Sequence, residues 1–228
     1  MTHTQTIRIL LVDDHAIVRE GYRALLSKQP GLCVVAEAGD ATQAYQLFKQ
    51  YQPDLLITDI SLPGSSGLEL ISHIKQRQSD VKILVFSMHQ HPGFAEQAIR
   101  AGALGYVSKS SPPEELLRAI AEVHAGRPVL SADIAQVVAL EKLGHEQHAL
   151  TSLTVREFEI LRLLVAGRNT EDIARILSIS PKTVGNCHYL IKRKLGVAND
   201  IELTRLAIKL NVLEQSYSVN GVTSGLPD

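Results

Sequence analysis

Residues 55–64 read Leu-Leu-Ile-Thr-Asp-Ile-Ser-Leu-Pro-Gly. The run Leu55–Thr58 is apolar on both sides of any pleat and too short for a helix, so it reads as a strand buried on both faces. Asp59 follows it directly, and Pro63-Gly64 then marks a turn. Working outward, similar runs end in polar side chains: IRILLV before Asp13 and Asp14, VKILVF before Ser87, and LGYVS before Lys109. CVVAEA, containing Cys33 as an expected buried small hydrophobe, makes a fifth strand-like run. Helix-like stretches separate the five: one with Val18, Gly21, Tyr22 and Leu25 on a stripe, then ATQAYQLFKQY, LELISHIKQ, AEQAIRAG, and ELLRAIAEVH ending near Gly126. Alternating units of this kind predict an α/β fold, a parallel sheet covered by helices on both faces.

The carboxyl ends of parallel strands share one edge of the sheet, where ligands bind. Asp13, Asp14, Asp59, Ser87 and Lys109 therefore converge. Clustered acids repel one another and call for a divalent cation. A lysine suits a dianionic phosphoryl group, and a hydroxyl can bond one of its oxygens. The constellation reads as a place where phosphate is transferred onto an aspartate.

From Thr151 onward the pattern is helical. Thr154-x-x-Glu157 is a capping box before FEILRLLVAG, Asn169 caps TEDIARIL, and Ser180-Pro181 opens KTVGNCHYLIKRKL. Asp200 is the expected cap of a fourth helix, IELTRLAIKL. Short helices joined by a brief turn, the later one rich in polar and basic residues, follow helix-turn-helix logic. Charge divides accordingly. Residues 1–129 hold 12 Lys+Arg against 13 Asp+Glu, while residues 150–213 hold 10 against 6, which suits a polyanion partner for the second half.

These motifs together resemble the two-component response regulators of the NarL/FixJ (LuxR-type) family. LLVDDH, LLITDISLPG, LVFSM and GALGYVSK match its receiver domain, and LTVREFEILRLLVAG, IARILSISPKTV and IKRKLGV match its DNA-binding domain. The resemblance implies a flavodoxin-like five-stranded receiver of order 2-1-3-4-5 and an all-α four-helix output domain. The implied division is receiver 1–127, linker 128–149, DNA-binding domain 150–213 and flexible tail 214–228. It implies that Asp59 accepts a phosphoryl group from a histidine kinase or a small acyl phosphate. Mg²⁺ would be held by Asp14 and Asp59, by Asp13 through water, and by the backbone carbonyl of Ser61. Lys109 and Ser87 would bind phosphoryl oxygens, with Tyr106 completing a switch on the helix 4–strand 5–helix 5 face.

For DNA, the expected contacts are Lys182, Thr183, Asn186 and His188 to bases, with Lys192, Arg193 and Lys194 on phosphates. Val184 is either a thymine-methyl contact or core; Tyr189, Leu190 and Ile191 are core or interface candidates. The family usually reads Thr-Val-Lys-x-His where this chain has Thr183-Val184-Gly185-Asn186-Cys187. Gly185 costs a helix about 1 kcal/mol relative to alanine. The implied partners are double-stranded DNA, a second copy on phosphorylation, and RNA polymerase.

His15 reads as a partly exposed first-helix residue, and His89 and His91 as loop residues that control water near the phosphate. His145 and His148 read as solvated linker histidines. Cys33 and Cys187 are the only cysteines, too far apart in sequence to suggest a disulfide framework or a metal knuckle. With no export signal at MTHTQTIRILL and no long apolar run, a cytoplasmic protein is expected. A flavodoxin-like enzyme would need a phosphate loop after the first strand, where Asp-Asp-His stands instead. A helical domain that binds protein rather than DNA is the other alternative, and Gly185 keeps it open.

Overall fold

The structure is a computed structural model that describes residues 6–143, 149–210 and 212. Its strands are β1 (Ile7–Val12), β2 (Leu32–Ala38), β3 (Leu55–Thr58), β4 (Lys82–Ser87), β5 (Gly105–Ser108) and β6 (Val129–Leu130). All pair in parallel in the order β2-β1-β3-β4-β5-β6. The doubly wound 2-1-3-4-5 sheet is thus present, with one strand more than the five expected. Two residues are too few to show a period. β6 forms because the edge of β5 offers unpaired backbone groups: Val129 N donates to Leu104 O and Ser131 N to Tyr106 O.

Alternate residues of each strand build separate cores, as the two-residue period requires. On one face Ile9, Leu11, Ile57, Leu84 and Phe86 pack against α1 (Ala16–Ser27) and α5 (Pro113–His124). On the other, Leu10, Val12, Leu56, Ile83, Val85 and Tyr106 meet α2 (Ala41–Tyr51), α3 (Gly67–Arg77) and α4 (Pro92–Ala101). The fully buried residue of α1 is Leu26, one turn beyond Tyr22 and outside the anticipated stripe. Cys33 is exposed rather than buried, because β2 is an edge strand.

The segment expected to be a linker carries β6 and then α6 (Ala132–Leu143), which packs against α4 and β5. His145, His148 and the tail 214–228 lie outside the described residues.

After a 3₁₀ turn at Ala149–Ser152 come α7 (Val155–Val165), α8 (Thr170–Ile176), α9 (Pro181–Leu195) and α10 (Asp200–Lys209). The sequence set these starts well. Thr154 and Glu157 form the complete capping box, and Asn169 and Ser180 accept the expected backbone bonds. The exception is α10, capped by Asn199, whose side chain accepts from Glu202 N. Asp200 falls one residue inside the helix, and its carboxylate instead meets Lys192 and His188, each at 2.9 Å. An extended residue immediately before the first turn takes the cap, and Asn199 fills that place.

The second sheet face does not end at α3 and α4, because its core continues into α7. Phe94 and Phe158 meet edge to face at a centroid distance of 5.0 Å. Buried Gln97 donates to Leu150 O at 2.9 Å and to Leu153 O at 3.0 Å. Arg156 and Glu69 form an ion pair from α7 to α3.

Glu157 also receives Lys194 of α9 at 2.5 Å. Burial alone would raise its pKa, but Lys194 and the Thr154 bonds outweigh burial and hold the carboxyl below its ordinary value. Its stabilisation is therefore present above about pH 4.5 and lost as pH falls through the lower folded value. Glu157→Gln should lower stability at pH 7 by about 1 kcal/mol or more. In thermal melts against wild type, that gap should close as pH is taken below 4.5.

Candidate functional site: an acidic strand-end pocket and an exposed basic helix

Four of the anticipated residues are brought together at the carboxyl ends of β1, β3 and β5. Lys109 Nζ lies 2.5 Å from Asp59 Oδ2 and 2.6 Å from Asp13 Oδ2. All three side chains are at most 5% exposed. Asp59 Oδ1 accepts from Ile60 N at 2.6 Å and from Ser61 N at 3.3 Å. Burial would lower the Lys109 pKa, but its two carboxylate partners reverse that and raise it. The ammonium is thus held charged.

Asp14 forms the open side, with its side chain 33% exposed and His15 Nδ1 at 2.7 Å. Burial, and after it the neighbouring Asp13 and Asp59, push the Asp14 carboxyl up, although His15 opposes them. Ligand atoms of Asp13, Asp14 and His15 lie within 4.8 Å of one another, and the acids are hard oxygen donors of the kind Mg²⁺ takes. His15 itself is the N-cap residue of α1, 66% exposed in its side chain.

The loop carrying Asp59 is pinned by a residue the sequence did not announce. A Cβ on Gly67 would lie 1.9 Å from Asp59 O, so only glycine lets α3 approach the acid's backbone.

Ser87 ends β4, fully buried. Tyr106 is equally buried, and its hydroxyl donates to His89 O at 2.7 Å. Burial, then the charge on Asp59, raise its pKa. His89 stacks on Phe94 at 3.9 Å and meets Ser61 Oγ at 3.0 Å, while His91 Nδ1 accepts from Gly93 N to cap α4. His89 thus stands beside the site and His91 serves its helix.

In the helical domain, α8 and α9 pack as a helix-turn-helix, with Ser178 at φ 52° in the turn. Val184 and Ile191 face the core, which settles Val184 as a core residue. Lys182, Asn186 and Arg193 are exposed, as is Thr183, though its hydroxyl lies 2.9 Å from Ser180 Oγ. His188 and Lys192 are half-buried against Asp200, and Lys194 is engaged by Glu157. Tyr189, 60% exposed, shares the face of Lys182, Asn186 and Arg193 by helical spacing. That spacing was readable in the sequence, where Tyr189 counted only as a core or interface candidate.

Comparison with known proteins fits this two-part geometry. Residues 9–121 match the response regulator receiver domain, and residues 151–207 match the bacterial regulatory proteins of the luxR family. Response regulator UvrY of Escherichia coli K12 is 37% identical over 205 residues, covering 89% of this chain and 94% of that protein. The chain is a LuxR-type (NarL/FixJ) two-component response regulator. Response regulator GacA of Pseudomonas aeruginosa is 34% identical, covering 91% of the regulator and 98% of GacA. A LuxR-family response regulator from Aurantimonas sp. SI85-9A1 is 52% identical, covering 61% of this chain and 99% of its own, at a TM-score of 0.60. RcsB of Salmonella enterica, solved on promoter rprA with the phosphomimetic BeF3-, is 28% identical at a TM-score of 0.74, covering 88% and 98%. The regulator therefore joins a receiver to a DNA-binding output, as two-component transcriptional regulators do. Among its described residues no helix is long and apolar enough to cross a membrane.

Removing the central cation leaves two buried carboxylates facing each other. Lys109→Met should destabilise the regulator by roughly 3–5 kcal/mol in urea unfolding. Lys109→Met with Asp13→Asn should recover part of that loss, since the substitutions are coupled through one contact.

Proposed function

We propose that Asp59 is the phosphoacceptor and that its modification controls DNA binding through the helical domain. The observation that carries this reading is the Lys109 ammonium held against both Asp59 and Asp13 at the strand ends. Phosphoryl transfer asks chiefly for positioning and for neutralisation of charge. Backbone N–H groups of Ile60 and Ser61 orient the Asp59 carboxylate, and Lys109 waits where phosphoryl oxygens would arrive. Asp13, Asp14, Asp59 and the carbonyl of Ser61 would hold Mg²⁺, which supplies further neutralisation of the phosphoryl charge. Ser87 would bond a phosphoryl oxygen, and Tyr106 would follow it by giving up its bond to His89 O. A histidine kinase is the donor that a receiver implies.

The parts are assigned as receiver 1–127, connecting segment 128–149 and DNA-binding domain 150–213. On DNA, Lys182, Asn186, Thr183 and the added Tyr189 would face bases, and Arg193 a phosphate. His188, Lys192 and Lys194 would need to leave intramolecular carboxylates first, so their contribution is smaller than that of Arg193. Phosphorylation would favour a dimer that reads paired half-sites, by a coupling of about 1–3 kcal/mol. Contact with RNA polymerase and a cytoplasmic location complete the reading.

Labelling with acetyl phosphate and Mg²⁺ should modify wild type and leave Asp59→Asn unlabelled; stable label on the variant would remove Asp59 from its role. On the DNA side, Lys182→Ala and Asn186→Ala should each cost roughly 1–3 kcal/mol of discrimination between duplexes. Arg193→Ala should weaken all duplexes alike and reduce the salt slope by about one unit. A mobility-shift titration at several salt concentrations separates the two behaviours.

A further inference from the structure

The backbone around Lys109 is held differently on its two sides. On the strand side, Lys109 N donates to Ser87 O at 2.8 Å, which continues the β4–β5 pairing. On the other side, Ser110 and Ser111 lie between β5 and α5, beyond any ladder, and side chains hold them instead. Ser110 Oγ receives Gln90 Nε2 at 2.6 Å and lies 2.6 Å from Ser108 Oγ. Ser111 Oγ donates to Asp133 Oδ1 at 3.1 Å. Ser108 N donates to Ser131 Oγ at 3.2 Å, and both of these serines are fully buried. Bonds to Ser131 and Asp133 therefore bracket Lys109, one residue before it and two after. Neither residue belongs to the stretch 9–121 that matches the receiver domain; both fall in the connecting segment.

We propose that Ser131 and Asp133 of the connector are positioning residues that aim Lys109 during phosphoryl transfer to Asp59. The inference rests on Asp59 being the phosphoacceptor. Before the reaction, Asp59 and Asp13 pin the ammonium directly. Once a phosphoryl group takes up Lys109 Nζ, those contacts are shared or given up. The loop must then aim the ammonium, and a reacting constellation tolerates an error of only about 0.5 Å. Ser131 and Asp133 touch the loop and not the reacting atoms, so they act through Lys109.

The connector is a firm anchor for this task. β6 lies along β5, Ser131 N donates to Tyr106 O at 3.0 Å, and Ile134 seats the start of α6 in the core with none of its surface exposed. Asp133 stands in the first turn of α6, where the helix dipole favours an anion. Burial would raise its pKa, but bonds from Ser131, from the Ile134 backbone and from Ser111 outweigh burial and hold the carboxyl below its ordinary value. The acceptor facing Ser111 is therefore ionised near neutral pH, and such charge-assisted bonds are roughly twice as strong as neutral ones. The unit that carries out the chemistry thus extends through β6 to Asp133.

The test measures initial labelling rates of the full chain with a fixed concentration of acetyl phosphate while Mg²⁺ is varied. Ser131→Ala and Asp133→Ala should each lower the maximal rate about tenfold, short of the roughly 100-fold that a 1 Å misplacement can cost. The Mg²⁺ concentration giving half the maximal rate should stay at the wild-type value, because Asp13, Asp14 and Asp59 follow β1 and β3, which the connector does not touch. Asp133→Asn, which keeps an oxygen for Ser111, should restore most of the rate. Should either alanine variant fail to fold, as seen in urea unfolding, Ser111→Ala removes the loop's half of the Asp133 contact and decides by the same two readings. A half-maximal Mg²⁺ concentration that rises as the rate falls would mean that the whole pocket has loosened, and would overturn the proposal. Wild-type rates in both Ser131→Ala and Asp133→Ala would overturn it too. Label on Asp59→Asn would instead overturn the phosphoacceptor assignment.

Discussion

One ammonium between two buried carboxylates organises the receiver. Lys109 at the end of β5 touches Asp59 after β3 and Asp13 after β1, so it adds a side-chain tie across strands that the backbone ladders already pair. The pairing is costly to assemble because each charge must lose water. Such an arrangement is weak evidence of design for stability and better evidence of design for binding. A phosphoryl group on Asp59 would keep a negative charge opposite Lys109 while changing its shape and its reach. The site can then accept the modification without losing its central ion pair.

What lies next to this ion pair explains how a local change could be felt far away. His89 links Ser61 on the phosphoacceptor loop with the Tyr106 hydroxyl through its carbonyl, and stacks on Phe94. Phe94 then meets Phe158 on α7. The chain of contacts crosses from receiver to output domain without passing through the covalent connection. Lys182, Asn186, Tyr189 and Arg193 on α9 meanwhile stay open to solvent. The two domains therefore pack together without hiding the residues that would meet DNA.

Much of this was legible in the sequence because each part has a local signature. LLIT, KILVF and GYVS are apolar apart from an end residue, so they read as strands buried on both faces, and Asp59, Ser87 and Lys109 after them then had a fixed place. Capping boxes and N-caps are likewise short-range devices, which is why Thr154, Asn169 and Ser180 were correctly placed. Asn199 and Asp200 are both good caps, and only the backbone angle decides between them. β6 was missed because a two-residue strand is defined by its partner's edge. Cys33 was misread because an apolar run does not say whether its strand is central or terminal. Gly67 owes its importance to a contact made across the fold, with Asp59 O, and nothing next to it in sequence marks it.

Gly185 bears on how such a regulator can diverge. A Cβ added there would meet nothing within 4 Å, and the position is exposed in the middle of α9. A Cβ therefore fits there, and alanine would strengthen the helix by about 1 kcal/mol. The glycine holds stability in reserve in the helix proposed to enter the major groove. If α9 reads bases as proposed, a single codon change there would alter base preference while raising rather than lowering stability, and new promoter specificities would need no compensating mutation elsewhere.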